Sequence, residues 1–183
     1  MIDTLSVLRQ DRRGVAALEL ALVLPAMLVL FFGTVEITQL IRASNKLNIA
    51  AQSIENMIAG QKSVATADVD NAYKGGQLIM APFSATLAVA VVSVTFNSSG
   101  TASSVGWQVL EGGAKALPNS TACTMVAGLG LGNDSVILVQ ASYGYSAVAH
   151  YVLPASVNLL HVAYGRPRNV QAVSGPSTGA GSC

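Results

Sequence analysis

The chain is short of the residues on which most enzymes and nucleic-acid binders depend. Lys and Arg number 10 and Asp and Glu 9 in 183 residues, a tenth of the chain, for a net charge of +1. Nucleic-acid binding needs clustered cations, so so flat a balance excludes it as an expectation. Histidine occurs twice, at His150 and His161, without an H-E-x-x-H spacing. His161 sits in a strand pattern, which predicts an ordinary sheet histidine. No G-x-x-x-x-G-K-[ST] is present, and "GLGLGN" at 128–133 lacks the strand, helix and acidic residue of a dinucleotide loop. "GYSAV" around Ser146 lacks the second glycine of a nucleophile elbow. The three N-x-[ST] triplets, at Asn97, Asn119 and Asn133, are expected by chance in so Ser/Thr-rich a chain. The sequence therefore predicts no catalytic residues, no cofactor and no metal.

Cysteine is scarce as well. Cys123 and Cys183 stand 60 positions apart with no C-x-x-C or Cys/His cluster near either. A disulfide is permitted if this part lies outside the cytoplasm; the alternative is that one or both are free.

What the chain has is apolar length. Half of it is hydrophobic, and residues 15–35 hold one charge, Glu19. Those residues make roughly 31 Å of helix at about 1.5 Å per residue, against a hydrocarbon layer of about 30 Å. A single membrane span over 15–35 is predicted. Arg9, Arg12 and Arg13 precede it, diluted by Asp11, and Glu36, Arg42 and Lys46 follow it. The positive-inside tendency places the N-terminus in the cytoplasm and the remainder outside. A cleavable secretory signal would have a shorter apolar core and small residues at its end, where this chain has Phe31, Phe32, Glu36 and Ile37.

Beyond the span the helical period continues. Leu40, Leu47, Ala51, Ile54 and Ile58 fall on one face, with Gln39, Arg42, Lys46, Gln52 and Glu55 elsewhere. One helix over about 14–59 follows, bent mildly at Pro25. A second is predicted over 66–80, with Asp68 and Asp70 in its first turn, Gly75 and Gly76 weakening it and Pro82 ending it. From Leu87 the period becomes two: "LAVAVVSVTFN", the turn "NSSG" and "SVGWQVLE" read as a hairpin. Residues 112–134 read as a long loop, 135–145 as a third strand and 158–166 as a fourth. The segment 171–183 has nothing to bury and is expected to be a flexible tail unless Cys183 ties it down. The fold class is α+β: leader 1–14, long helix 15–59, extracytoplasmic domain 60–170 with a small antiparallel sheet, and the tail.

One residue resists the anchor reading. A carboxylate in lipid is unfavourable by about 2.5–3.5 kcal/mol at a span's centre, and a helix that only anchors gains nothing from Glu19. Its neighbours supply a context. The stretch "RRGVAALELALVLPAMLVLFFGTVEITQLI" resembles the TadE-like family, the pseudopilins of tight-adherence (Tad) pilus systems. Members show R-x-G-x-x-[AL]-[VL]-E-[FL]-A-[LI]-x-x-P, then an apolar run and G-x-[IV]-E. Arg12, Gly14, Glu19, Ala21, Pro25, Gly33 and Glu36 match in place. "SYGYSAV" and "LLHVAYGRPR", closing at Tyr164 to Arg168, are similar to the family's C-terminal strand pair. The resemblance implies a pilin-like fold and cleavage between Gly14 and Val15 by a membrane prepilin peptidase. It also implies partnership with other pilins, the assembly platform and the inner membrane. Cleavage would leave a charged amine at Val15, one turn from Glu19, and that amine could pair with the Glu19 carboxylate of a neighbouring subunit. Leu20 stands where the short major pilins prefer an aromatic, and no D-x-S-x-S motif occurs, so the resemblance points to a minor pilin. The competing expectations are an uncleaved, signal-anchored binding module and an anchored hydrolase using the 112–134 loop.

Overall fold

The computed structural model describes residues 13–83, 87–147 and 154–183. Arg9, Asp11 and Arg12 of the leader, and His150, lie outside the described residues. Helix α1 runs Arg13–Ala59 and contains Pro25; α2 spans Thr66–Met80. Strands β1 (Leu87–Phe96) and β2 (Ala102–Glu111) are followed by a short helix α3 (Asn119–Met125). Strands β3 (Ser135–Ser146), β4 (Ser156–Gly165) and β5 (Gly181–Ser182) complete the order. The architecture is α+β, a long apolar N-terminal helix followed by a small antiparallel sheet.

Local chemistry accounts for the element ends. Asp68 Oδ2 accepts the Ala65 N–H at 2.8 Å, satisfying a donor at the start of α2. At the other end Lys46 Nζ donates to the carbonyls of Ile79 at 3.1 Å and Ala81 at 2.5 Å. The β1–β2 turn is built on Asn97, whose Oδ1 accepts the N–H of Ser99 and of Thr101.

The strands order β4-β3-β1-β2-β5, every neighbouring pair antiparallel. One face of the sheet, with Val89, Val91, Trp107, Ile137 and Val139, packs on α1 through Ala43, Leu47, Ala50, Ile54 and Ile58. The other, with Ala90, Val92, Val94, Phe96 and Leu138, is covered by Leu117, Ala122, Cys123 and Val126. Because both faces are covered, β1 is apolar almost throughout. That is why its sequence reads as a run rather than a strict alternation.

Two features depart from the sequence reading, and a third meets the condition it set for the tail. The 112–134 stretch is not loop throughout: α3 lies within it and brings Ala122 and Cys123 onto the second face. Glu55, assigned to the polar side of α1, is 7% exposed. Its carboxylate occupies the space beside Gly165 of β4, where any Cβ would stand 1.4 Å from Glu55 Oε1.

The tail is the third. Instead of a free segment, residues 173–183 follow the sheet edge. Trp107 Nε1 donates to the Val173 carbonyl at 2.8 Å, and Val64 N–H to that of Ser174 at 2.8 Å. Gln108 N–H donates to Thr178 O at 2.7 Å, and β5 pairs with β2 at Ser104 and Val105. Cys183 is bonded to Cys123. Val173 is the tail's one buried apolar side chain among the described residues. Gly175 lies flat on Trp107, its Cβ position 2.6 Å from the indole. The disulfide and hydrogen bonds to backbone groups, more than hydrophobicity, hold this segment, so composition does not reveal its course.

Burial raises the Glu55 pKa from its usual value, and Arg168 opposes it in part. With the folded pKa above the unfolded one, the native state keeps a proton that the unfolded chain has released. Stability attributable to Glu55 is therefore full below about pH 4.5 and falls as pH rises through the folded value. Glu55→Gln should flatten this part of the profile, read as urea midpoints at pH 5 and 7.5; an unchanged slope would refute the assignment. Cys183→Ala releases a crosslink closing 60 residues. It should lower stability by about 4 kcal/mol in the chain-entropy model, measured as the shift in unfolding midpoint of the oxidised protein.

Candidate functional site

The environment of α1 changes abruptly at Gly33. From there a line of buried positions runs Gly33, Glu36, Ala43, Leu47, Ala50, Ile54 and Ile58, with Leu40 partly buried between and Ala51, Glu55 and Ala59 buried alongside it. Steps of three and four, with the one step of seven bridged by Leu40, make a single stripe facing the sheet. Before Gly33 there is no stripe. Residues 15–32 are exposed on every side, including Leu18 at 71% and Leu22 at 78%. That is about 27 Å of helix at about 1.5 Å per residue. A helix that is apolar all round must lie in lipid or among other helices. A buried core helix of a soluble domain would pass the same test of length and composition, but none of this helix's most apolar stretch is buried. It fits a single-pass membrane anchor.

Glu19 projects from this bare half and is exposed. Val15, one turn before it, is exposed as well. Gly14 lies within α1. Fourteen residues separate Glu19 from Gly33, and at about 100° per residue they fall about 40° short of four full turns. On an ideal helix the carboxylate therefore looks out on nearly the same side as the buried stripe. Among the described residues nothing of the body covers it.

The neck is built by Gly33 and Glu36, the second pair of the sequence motif. Gly33 is buried and Glu36 is 3% exposed. They form the first turn of the stripe, so the motif marks where helix meets body. Beside Glu36 is a hollow of 550 Å³ whose walls include Phe32, Val35, Phe83, Tyr143 and Tyr145. Burial first, and the negative charge of Glu36 second, push the Tyr145 phenol above its ordinary pKa. Ser146, set aside as a nucleophile, lines the same hollow.

The remaining sequence candidates have structural places. His161 Nε2 lies 3.0 Å from Ser44 Oγ, across the contact of β4 with α1. The glycines of 128–133 lie against the β1–β2 turn, where Asn133 N–H donates to Asn97 O at 3.1 Å. Arg166 Nε donates to Leu129 O at 3.2 Å and lies 3.8 Å from Asp134. Among the described residues no three His, Cys, Asp or Glu side chains are grouped to hold a metal ion.

The closing Arg-Pro-Arg segment has a role that sequence reading did not give it. Arg168 N–H donates to Ala59 O at 3.0 Å, and its guanidinium donates to Asn56 Oδ1. Asn169 Nδ2 donates to Gly60 O at 2.6 Å. These donors meet the end of α1, where helix carbonyls lack partners and the dipole favours positive charge. The last turn of α1 holds no basic residue of its own, a local deficit legible in the sequence.

Residues 14–54 match the family model described as TadE-like protein. No curated protein and no solved structure matches the chain. The match spans the bare half of α1 and most of its buried stripe and leaves the sheet outside. With the uncovered apolar helix, it supports a membrane-anchored, pilus-associated protein. Over residues 14–54, from the residue before the apolar run to five residues short of the helix end, the long helix of this chain is similar to the TadE-like family.

Proposed function

We propose that this chain is a minor pilin or pseudopilin of a Tad-type pilus. In this reading a prepilin peptidase cuts between Gly14 and Val15, and the matured subunit joins other pilins or primes their assembly at the platform. The body stands on the outer side of the inner membrane. The observation that carries the reading is the bare half of α1: an apolar helix open all round, with a single carboxylate at Glu19. A lipid anchor alone has no use for that carboxylate. A bundle of such helices does.

Cleavage after Gly14 would create an α-amino group at Val15. When subunits pack side by side, the amine of one meets the Glu19 carboxylate of the next. Either charge alone in an apolar bundle is strongly unfavourable, and the pair removes that penalty only in one axial register. The interaction thus selects how neighbours align and adds little net stability.

Two measurements separate this reading from an uncleaved anchor. Gly14→Val places a branched side chain at the cleavage subsite, and leader removal should be lost while membrane insertion persists. The mass of membrane-extracted protein checks it; an unprocessed wild type beginning at Met1 would favour the uncleaved module. Glu19→Ala should insert and be cut as the wild type is. Losing one partner of a buried pair costs about 3–5 kcal/mol, so its recovery in sheared pili should fall by more than about tenfold. Wild-type recovery would leave Glu19 an interfacial residue and remove the mechanism.

A further inference from the structure

Two hollows meet on the flank of α1 where it leaves the span. The one described above is apolar, formed by Phe32, Val35, Tyr143 and Tyr145, with Glu36 at its side. The second, 430 Å³, includes Arg42, Asn45, Lys46 and Ile49. Gln39, Pro82 and Phe83 line both, so they form one trough. It is apolar toward the membrane and cationic about 15 Å further along the helix, the distance from Phe32 to Arg42 at about 1.5 Å per residue.

The cations are available. Arg42 is exposed and makes no hydrogen bond or ion pair among the described residues. Lys46 gives two of its three ammonium donors to Ile79 and Ala81, which leaves one. The facing carboxylate, Glu36, is at the apolar end and not beside Arg42. Height matters as much as charge. Arg42 lies seven residues past Val35, about 10 Å beyond the span. Helical side chains lean toward the N-terminus, here back toward the bilayer. The guanidinium therefore reaches the headgroup layer, which is about 5–8 Å thick on each side.

We propose that this trough binds one anionic phospholipid from the leaflet facing the body. Its phosphate is held by Arg42 with the remaining donor of Lys46, and one acyl chain lies in the hollow beside Tyr143 and Tyr145. A free phosphate would use only the cationic end and leave the apolar walls open to water. A lipid matches both ends, in the order in which the bilayer presents them. The inference rests on the membrane span and is independent of cleavage or pilus assembly. Bound lipid would fix the depth of α1 and its rotation about its own axis.

The test is native mass spectrometry of the full chain in neutral detergent, offered phosphatidylglycerol or phosphatidylcholine with identical acyl chains. A charge-assisted contact to phosphate should give the wild type about a tenfold preference for phosphatidylglycerol. Arg42→Gln should erase that preference, while Lys115→Gln, an exposed cation away from the trough, should keep it. Near-ultraviolet circular dichroism from Trp107 verifies that each variant is folded. Equal binding of the two lipids, or a preference that survives Arg42→Gln, would overturn the proposal. So would displacement of the lipid by millimolar inorganic phosphate, which would make the trough a free-anion site. A dimer lost in Arg42→Gln, without any lipid preference in the wild type, would assign the trough to a second copy.

Discussion

Everything in this molecule is arranged around a helix that must satisfy two solvents. The first half of α1 has no polar face and, among the described residues, no protein cover, so it calls for lipid or other helices to shield it. The second half has one apolar stripe and a sheet to receive it. A continuous helix can serve both because its backbone hydrogen bonds are internal in either environment. The change occurs within a single turn, at Gly33 and Glu36, which leaves no linker between span and body. The body is thereby held at a fixed height, and the residues of the neck lie where hydrocarbon gives way to headgroups.

The body is organised to give α1 a firm seat. Strand β1, buried on both faces, is the centre of the sheet, and it is flanked by β3 and β2. Helix α3 closes the far face and the tail closes the β2 edge. A sheet edge left open would invite pairing with another chain. Here the edge is occupied by a segment of small residues that offers backbone groups and almost no apolar side chains. Glu55 is a buried carboxylate in a mostly apolar seat, and Gly165 and Arg168 are the accommodations made for it.

Much of this was legible in the residues. Periodicity located α1 and α2, and the change to a period of two located four strands within a few positions. The N-terminal motif pointed to the family that the match over 14–54 supports. What escaped was of a different physical kind. The helix α3 is seven residues of mostly small polar character, too short to show a period. The tail is held by backbone groups, which composition does not report. Glu55 lies at the edge of the apolar stripe, four residues after Ala51 and three before Ile58, and the room for its carboxylate comes from a glycine more than a hundred residues away. The candidate site divides in the same way. Glu19 and Glu36 were marked by the motif, whereas the trough at the neck joins Phe32 and Arg42 to Tyr145 across elements that no local pattern connects.

The direction in which α1 meets the sheet has a mechanical meaning. Its residues meet β4 and the segment just after it in matching order: Ser44 beside His161, Glu55 beside Gly165, Ala59 beside Arg168. Helix and strand thus run side by side in the same sense. A pull on the bare end of α1 acts along that shared axis and loads these contacts together, in shear. Peeling, which would break them one at a time, needs a sideways force that the long lever of the helix does not transmit under axial tension. The far end is held as well, since Arg168 and Asn169 grip the last turn. The subunit is built like a lap joint, strong along its length, whatever filament or membrane draws on it.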